Sequence, residues 1–240
     1  MRRAVAGIDL RRPTFSLIAL VAANLVPLAG VLFLGWDAAM ILLLYWSENL
    51  VIGAINVLKM ILVRPESRGG WAGKLFMVPF FCIHFGGFCA VHGLFLLMLL
   101  GLGGEQAMNP TSAGTAWPGP LIFVQLLVGV VAHAWNVRPE GSTWPLLALA
   151  LGHGISFVQN YLGKREYETL TLEKLMGAPY GRIAVLQVAI LAGAAPILAM
   201  HSPVPMLCAL VVLKIVMDVG LYARSHRSGQ EEPREAEVVS

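Results

Sequence analysis

"ILLLYWSENLVIGAINVLK", residues 41–59, is an apolar run long enough to cross a lipid bilayer, yet it carries a carboxylate, Glu48, and an amide, Asn49, near its middle. Runs of about 18 apolar residues are the mark of membrane-spanning helices, because in lipid every backbone polar group must be satisfied inside the segment. The remainder of the chain repeats the pattern. Of its 240 residues 57% are hydrophobic and 13% charged, and its mean hydropathy is +0.72, which leaves too little polar surface to cover a soluble globule. Seven apolar segments stand out, at 14–35, 38–63, 75–103, 119–136, 144–162, 181–200 and 203–223. The expected class is therefore all-α, a polytopic transmembrane helix bundle. The basic, apolar start "MRRAVAGIDLRRPTFSLIALVAANLVPLAG" has the outline of a secretory signal but no clear cleavage site, and further apolar segments follow at once. It reads as a retained first helix.

Charge orients the segments. Arg2, Arg3, Arg11 and Arg12 precede the first, and Arg64, Arg68 and Lys74 follow the second, so both stretches are expected on the cytoplasmic side. "EQAMNPTSAGTAWPGP", after the third, has no Lys or Arg and fits the outer side. Lys164, Arg165 and Lys174 lie between the fifth and sixth segments with Arg182 at the very start of the sixth, and Arg224, Arg227 and Arg234 lie in the tail; both groups should again be inside. Seven simple crossings from a cytoplasmic N-terminus would place them outside. The expectation is thus six full spans plus one re-entrant or shallow helix, with 119–136, the shortest, as the partial one; seven spans with a violated charge rule is the alternative. Residues 1–13 form a cytoplasmic N-terminal segment, 14–223 a single transmembrane domain, and 224–240, "RSHRSGQEEPREAEVVS", a polar cytoplasmic tail expected to be disordered. The implied location is a bacterial cytoplasmic (inner) membrane, with membrane lipids as surroundings and protein partners left open. A net charge of +3 is accounted for by loop residues and gives no reason to invoke nucleic acid.

The polar groups inside the apolar segments are few. Of 31 charged residues only Glu48, Lys214 and Asp218 fall clearly within them, with Lys59 close enough to an end to snorkel. Lys214 and Asp218 are four apart on one helix face and are expected to pair. Glu48 is 11 residues from Lys59 and roughly 15 Å into its segment by helical rise, with no local partner. A lone carboxylate there costs on the order of 3 kcal/mol even on insertion scales, so it must be protonated, paired, metal-bound or facing water. Tyr45, Asn49 and Asn56 share its polar surface, and Gly53 leaves room for a neighbouring helix.

Histidines add to this inventory. His84 and His92 lie eight apart in "FFCIHFGGFCAVHG", too far to chelate one ion from a single helix, with Gly86 and Gly87 allowing close approach between them. His153 and Asn160 lie seven apart in "GHGISFVQNYLG" and so share a face. Singly, each is explained as polar glue between helices. Together with Glu48 they make a candidate metal set of Glu48, His84, His92 and His153, with Glu48 and His153 as candidate catalytic groups; Tyr45, Asn49, Asn56, Asn160, Lys214 and Asp218 complete the polar core. Carboxylate and imidazole suit a transition metal such as zinc, although no chelate motif is present and the cofactor stays open. Cys82, Cys89 and Cys208 all lie in apolar segments and make no disulfide framework. In the loop from 163 to 182, Thr171 is placed to cap a short helix from Leu172 to Met176 that Gly177 and Pro179 close.

The combination of "YWSENLVIGAINVLKM" (45–60), "VHG" (91–93), "HGISFVQNYLGKREY" (153–167), "LMGAPYGRIAVLQ" (175–187) and "PVPMLCALVVLKIVMDV" (203–219) resembles a family of bacterial multi-pass membrane proteins catalogued as a domain of unknown function. Its most specific parts are the Tyr-Trp-x-Glu-Asn run and the segment ending Pro-Tyr-x-Arg-Ile. Where that family often has histidine after Arg-Ile, this chain has Gln187. The resemblance implies the class and supplies no activity. Three functions stay open: a site for metal-dependent or proton-coupled chemistry, hydrolytic or redox; a path for an ion, proton or small solute; and a scaffold or assembly factor with a polar core. Whether the protein is an enzyme is left undecided.

Overall fold

The computed structural model describes residues 13–64, 68–104, 115–217 and 219–220, and everything described is helix, turn or loop. The helices are α1 (Pro13–Phe33), α2 (Ala38–Leu62), α3 (Arg68–Leu99), α4 (Leu121–Val137), α5 (Thr143–Ser156), α6 (Leu172–Gly177), α7 (Tyr180–Met200) and α8 (Val204–Met217). Each of the seven apolar segments thus contains a helix. Ala38–Leu62 and Gly70–Leu99 are long and apolar enough to cross a membrane, with mean hydropathies of 1.7 and 1.9. The N-terminal segment up to residue 12, the tail from 224 and the stretch 105–114, whose sides of the membrane are expectations from charge, lie outside the described residues.

Local chemistry sets the helix ends. Asp37 caps α2 by accepting the backbone N–H of Ala39 at 2.7 Å, a first-turn donor with no partner inside the helix. At the other end the Lys74 ammonium folds back to donate to the Val63 carbonyl at 2.8 Å, where a cation also complements the helix dipole. Thr171 caps α6 through the Lys174 N–H, as its spacing to Gly177 and Pro179 requires. α5 does not continue as a regular helix: residues Phe157–Leu162 form a π-helical turn directly after Ser156, within one turn of His153. Such turns are rare, and they interrupt the ladder of i to i−4 hydrogen bonds.

The seam between α2 and α3 is built from rings set against glycines. The Trp46 indole lies so close to Gly93 that a Cβ there would sit 2.4 Å from it, and Phe85 occupies the same relation to Gly53 at 2.6 Å. Glycine at these two places is what lets large rings and backbones share one layer. Trp46, 2% exposed, also donates its indole N–H to the Cys89 carbonyl at 2.8 Å. One apolar core joins the first half of α2 to the second half of α3 and to α4, α7 and α8. A second, at the opposite end, packs Met60, Phe81, Phe85 and Cys89 on Leu172, Leu175 and Ile183.

That second end gathers the basic loops. The Arg64 N–H donates to the Tyr167 carbonyl at 3.1 Å and the Arg64 guanidinium lies 5.2 Å from the Tyr167 ring. Asn56 donates to the Leu175 carbonyl, and the Tyr161 hydroxyl donates to the Lys59 carbonyl at 2.7 Å. The α2–α3 connection and the 163–178 stretch therefore sit on one end of the bundle.

α4 has an unusual direction. Gly87 faces Phe123, Gly86 faces Leu127 and Gly104 faces His133, and His133 Nε2 is 2.8 Å from the Leu102 carbonyl. Residue numbers rise together along the pair, so α4 runs parallel to α3 and covers only its second half. The chain leaves the far end of α3 at residues 100–104, returns to mid-height by Pro120, and travels back to the same far end through α4. Trp36, Trp71, Trp117 and Trp144 are exposed, as aromatic residues that anchor a helix bundle at a membrane interface are. Tyr180 is hydrogen-bonded to His84 of α3.

Candidate functional site

Glu48 is on the face of α2 opposite the ring-and-glycine seam, and three helices bring it basic side chains. Its Oε1 accepts from the Arg182 guanidinium of α7 at 2.7 Å and lies 3.4 Å from His153 Nε2 of α5. Its Oε2 is 3.9 Å from the Lys214 ammonium of α8. The carboxylate is 16% exposed, so the pairing is partly shielded and screened less than a surface pair would be. Tyr45 adds its ring beneath Lys214, 4.7 Å from the ammonium, and its carbonyl accepts the Asn49 amide at 2.9 Å. Glu48 is therefore ion-paired, one of the four fates open to it. Its partners come from three separate helices.

The sequence expectations meet this geometry unevenly. Convergence of Glu48 with His153 is what the structure has. Arg182, counted from sequence as a loop charge, is the strongest partner of all. The signal that could have found it is its place at the mouth of the sixth apolar segment, within the specific Pro-Tyr-x-Arg-Ile run. Lys214 reaches towards Glu48, whereas Asp218, its expected partner, lies outside the described residues. Asn56 serves the fold, tying α2 to the Leu175 carbonyl at the end of α6, and Asn160 donates to the Ser156 hydroxyl within the π turn region.

The four-residue metal set does not assemble. His84 Nδ1 is 2.8 Å from the Tyr180 hydroxyl and its ring stacks on Phe80, while His92 Nδ1 donates to the Phe88 carbonyl one turn back. Among the described residues no group of three or more His, Cys, Asp or Glu side chains is placed to share an ion. The reason is rotational: eight residues apart on α3, the two histidines leave the helix about 80° apart, and the α2–α3 seam turns other residues of α3 towards α2. Cys89 is buried among the rings of the second core.

Two spaces adjoin the Glu48 cluster. The smaller, about 30 Å³, lies among Tyr45, Glu48, Asn49, Arg182 and Lys214, room for a water or two. The larger, about 190 Å³, opens between α2, α5 and the start of α7, with Asn56, Lys59, His153, Ser156 and Arg182 as its polar lining. Arg182 borders both. Among the described residues no carboxylate lines the larger space, and α7 begins at its wall, so the helix dipole adds to the positive potential there.

Against known protein families, the chain matches a family of unknown function, DUF6498, over residues 9–235. The chain belongs to this family. No curated protein and no solved structure matches the chain.

Proposed function

We propose that this member of DUF6498 is a multi-spanning protein of the bacterial inner membrane that binds a small anion at the Arg182 pocket and carries it across the membrane. The observation that carries the reading is the lining of the 190 Å³ space: two fixed cations, Lys59 and Arg182, with His153, Asn56 and Ser156, and no acid among the described residues. Glu48 compensates this lining only from the Arg182 side, and the positive charge left over among apolar helices costs free energy unless a further counterion enters. Glu48 then acts as the internal counterion: it holds Arg182 when the pocket is empty and competes with the anion for the guanidinium when it is filled. Volume limits the cargo to a group the size of a carboxylate, phosphate or hydrated halide.

The same reading gives the membrane arrangement. α1, α2, α3, α5, α7 and α8 cross fully, and α4 is the re-entrant helix. The parallel course of α4 beside only half of α3 supports this, as does the meeting of Arg64 with Tyr167, which sets both basic loops at one end of the bundle, the end that this reading assigns to the cytoplasm from the charge bias. A half-length helix and a π turn beside a charged pocket are features that lipid tolerates only where the backbone is buried in protein or lines a cavity.

Flux into proteoliposomes tests the proposal, with labelled phosphate, acetate and chloride offered separately. Wild-type protein should accelerate uptake of at least one, and Arg182→Gln and Lys59→Gln should each slow it at least tenfold. Glu48→Gln should tighten anion binding while slowing release. If uptake matches that of empty liposomes for all three, or Arg182→Gln leaves it unchanged, the anion reading fails.

A further inference from the structure

Because α4 covers only the second half of α3, the first half is left with an uncovered face, and a groove of about 670 Å³ runs along it. This is separate from the Glu48 cluster. Its volume lies within the usual range for small-molecule sites. One wall is a ladder of rings at successive turns of α3. Phe76 stacks on Phe80 with centroids 5.9 Å apart, Phe80 stacks on His84 at 5.0 Å, and His84 meets Phe88 edge-on at 5.0 Å. Phe123 of α4 faces them, and Gln187 of α7 contributes an amide.

The polar end of the groove is His92. Its ring is 3% exposed, and Nδ1 donates to the Phe88 carbonyl. A carbonyl only accepts, so in the singly protonated ring the proton is on Nδ1 and Nε2 is a bare acceptor. Nε2 is buried and has no hydrogen-bond partner among the described residues. An unmet buried acceptor is costly, and it is met when a ligand brings a donor. Four successive aromatic rings favour a flat ring over a saturated chain, because offset stacking adds to the burial of apolar area.

We infer that this groove binds a lipid-soluble aromatic alcohol of the hydroquinone class, its ring against the Phe80–His84–Phe88 ladder and one hydroxyl donating to His92 Nε2. The alkyl tail lies towards Leu75 and Phe76, which are 81% and 70% exposed.

Calorimetric titration of the full chain in detergent, under argon, with decylhydroquinone as the probe tests this. Its dimethyl ether, which keeps the ring and tail but has no donor, and 1-dodecanol, which keeps the donor but has no ring, are the comparison probes. Decylhydroquinone should bind about tenfold more tightly than either, the worth of one hydrogen bond to a buried group. His92→Phe, which keeps a ring in place, should remove the preference over the ether while leaving ether binding unchanged. Should His92→Phe fail to fold, Ile83→Trp, which fills the groove from its lining, should abolish binding of all three probes with unchanged helicity. Equal affinity for hydroquinone and ether overturns the hydrogen bond to His92. Dodecanol binding as tightly as hydroquinone overturns the aromatic ligand, and binding that survives Ile83→Trp overturns the groove.

Discussion

The two faces of α2 hold their neighbours by different physics. Towards α3, Trp46 and Gly53 make a dry contact whose partners are Gly93 and Phe85, and its strength is a matter of shape. On the opposite face, Glu48 makes contacts of 2.7, 3.4 and 3.9 Å with groups on α7, α5 and α8, and its strength is a matter of charge. Shape complementarity is unforgiving but inert. Charge tolerates small movements, and it can be traded for a ligand. The steric seam fixes how α2 is rotated, and that rotation decides which helices Glu48 can reach.

The largest effect should come from breaking the seam. Gly93→Leu places side-chain atoms where the Trp46 ring stands, and overpacking of this kind costs about 1–3 kcal/mol or more when the ring cannot move. The expected result is a thermal midpoint below that of any substitution on the charged face of α2, or no folded protein in detergent; adding Trp46→Leu should recover part of the loss. A Gly93→Leu protein as stable as wild type would show that the seam does not set the fold.

Glu48→Gln should come next. It leaves Arg182 and Lys214 without their carboxylate, but Arg182 is 39% exposed, which moderates the penalty to about 1–3 kcal/mol. The charge swap Glu48→Arg with Arg182→Glu sharpens the comparison. Recovery of stability in the double variant, relative to either single one, identifies the direct pair as the main tie on this face.

Asn56→Ala tests the junction between the polar face of α2 and the loop helix α6. It removes the donor to the Leu175 carbonyl, a loss of about 1–2 kcal/mol. The measurable consequence is faster limited proteolysis between residues 163 and 178, with the cleavage rate of the rest unchanged. The smallest effect belongs to Lys214→Met. At 3.9 Å from Glu48 its contribution should be under about 1 kcal/mol, so a drop in midpoint as large as that of Glu48→Gln would mean that Lys214, and not Arg182, is the principal counterion.

The longer helices were readable because each falls in an apolar run of about 18 residues or more, although among the described residues only Ala38–Leu62 and Gly70–Leu99 are long and apolar enough to cross a membrane. The direction of α4 was not readable from its own residues; the charges of the 64–74 and 163–182 loops raised only the expectation that one segment between them does not cross. The partner of Glu48 was half readable: His153 was among the candidates, whereas Arg182 looked like one loop charge among several. The metal set failed because spacing along a helix gives the angle between two side chains and says nothing about which angle faces a neighbour. The π turn after His153 had no sequence signature that distinguishes it from ordinary helix.

By itself, then, the sequence determined an all-helical chain with seven apolar helices, a lone acid in the second, and basic loops gathered to one end, because hydropathy and charge act residue by residue. Tertiary structure alone decided that Glu48 meets Arg182, that His84 and His92 turn to a separate aromatic groove, and that a pocket lined by cations opens beside Glu48. Those outcomes depend on helix rotation and on the close approach that Gly53 and Gly93 allow, which no single segment contains.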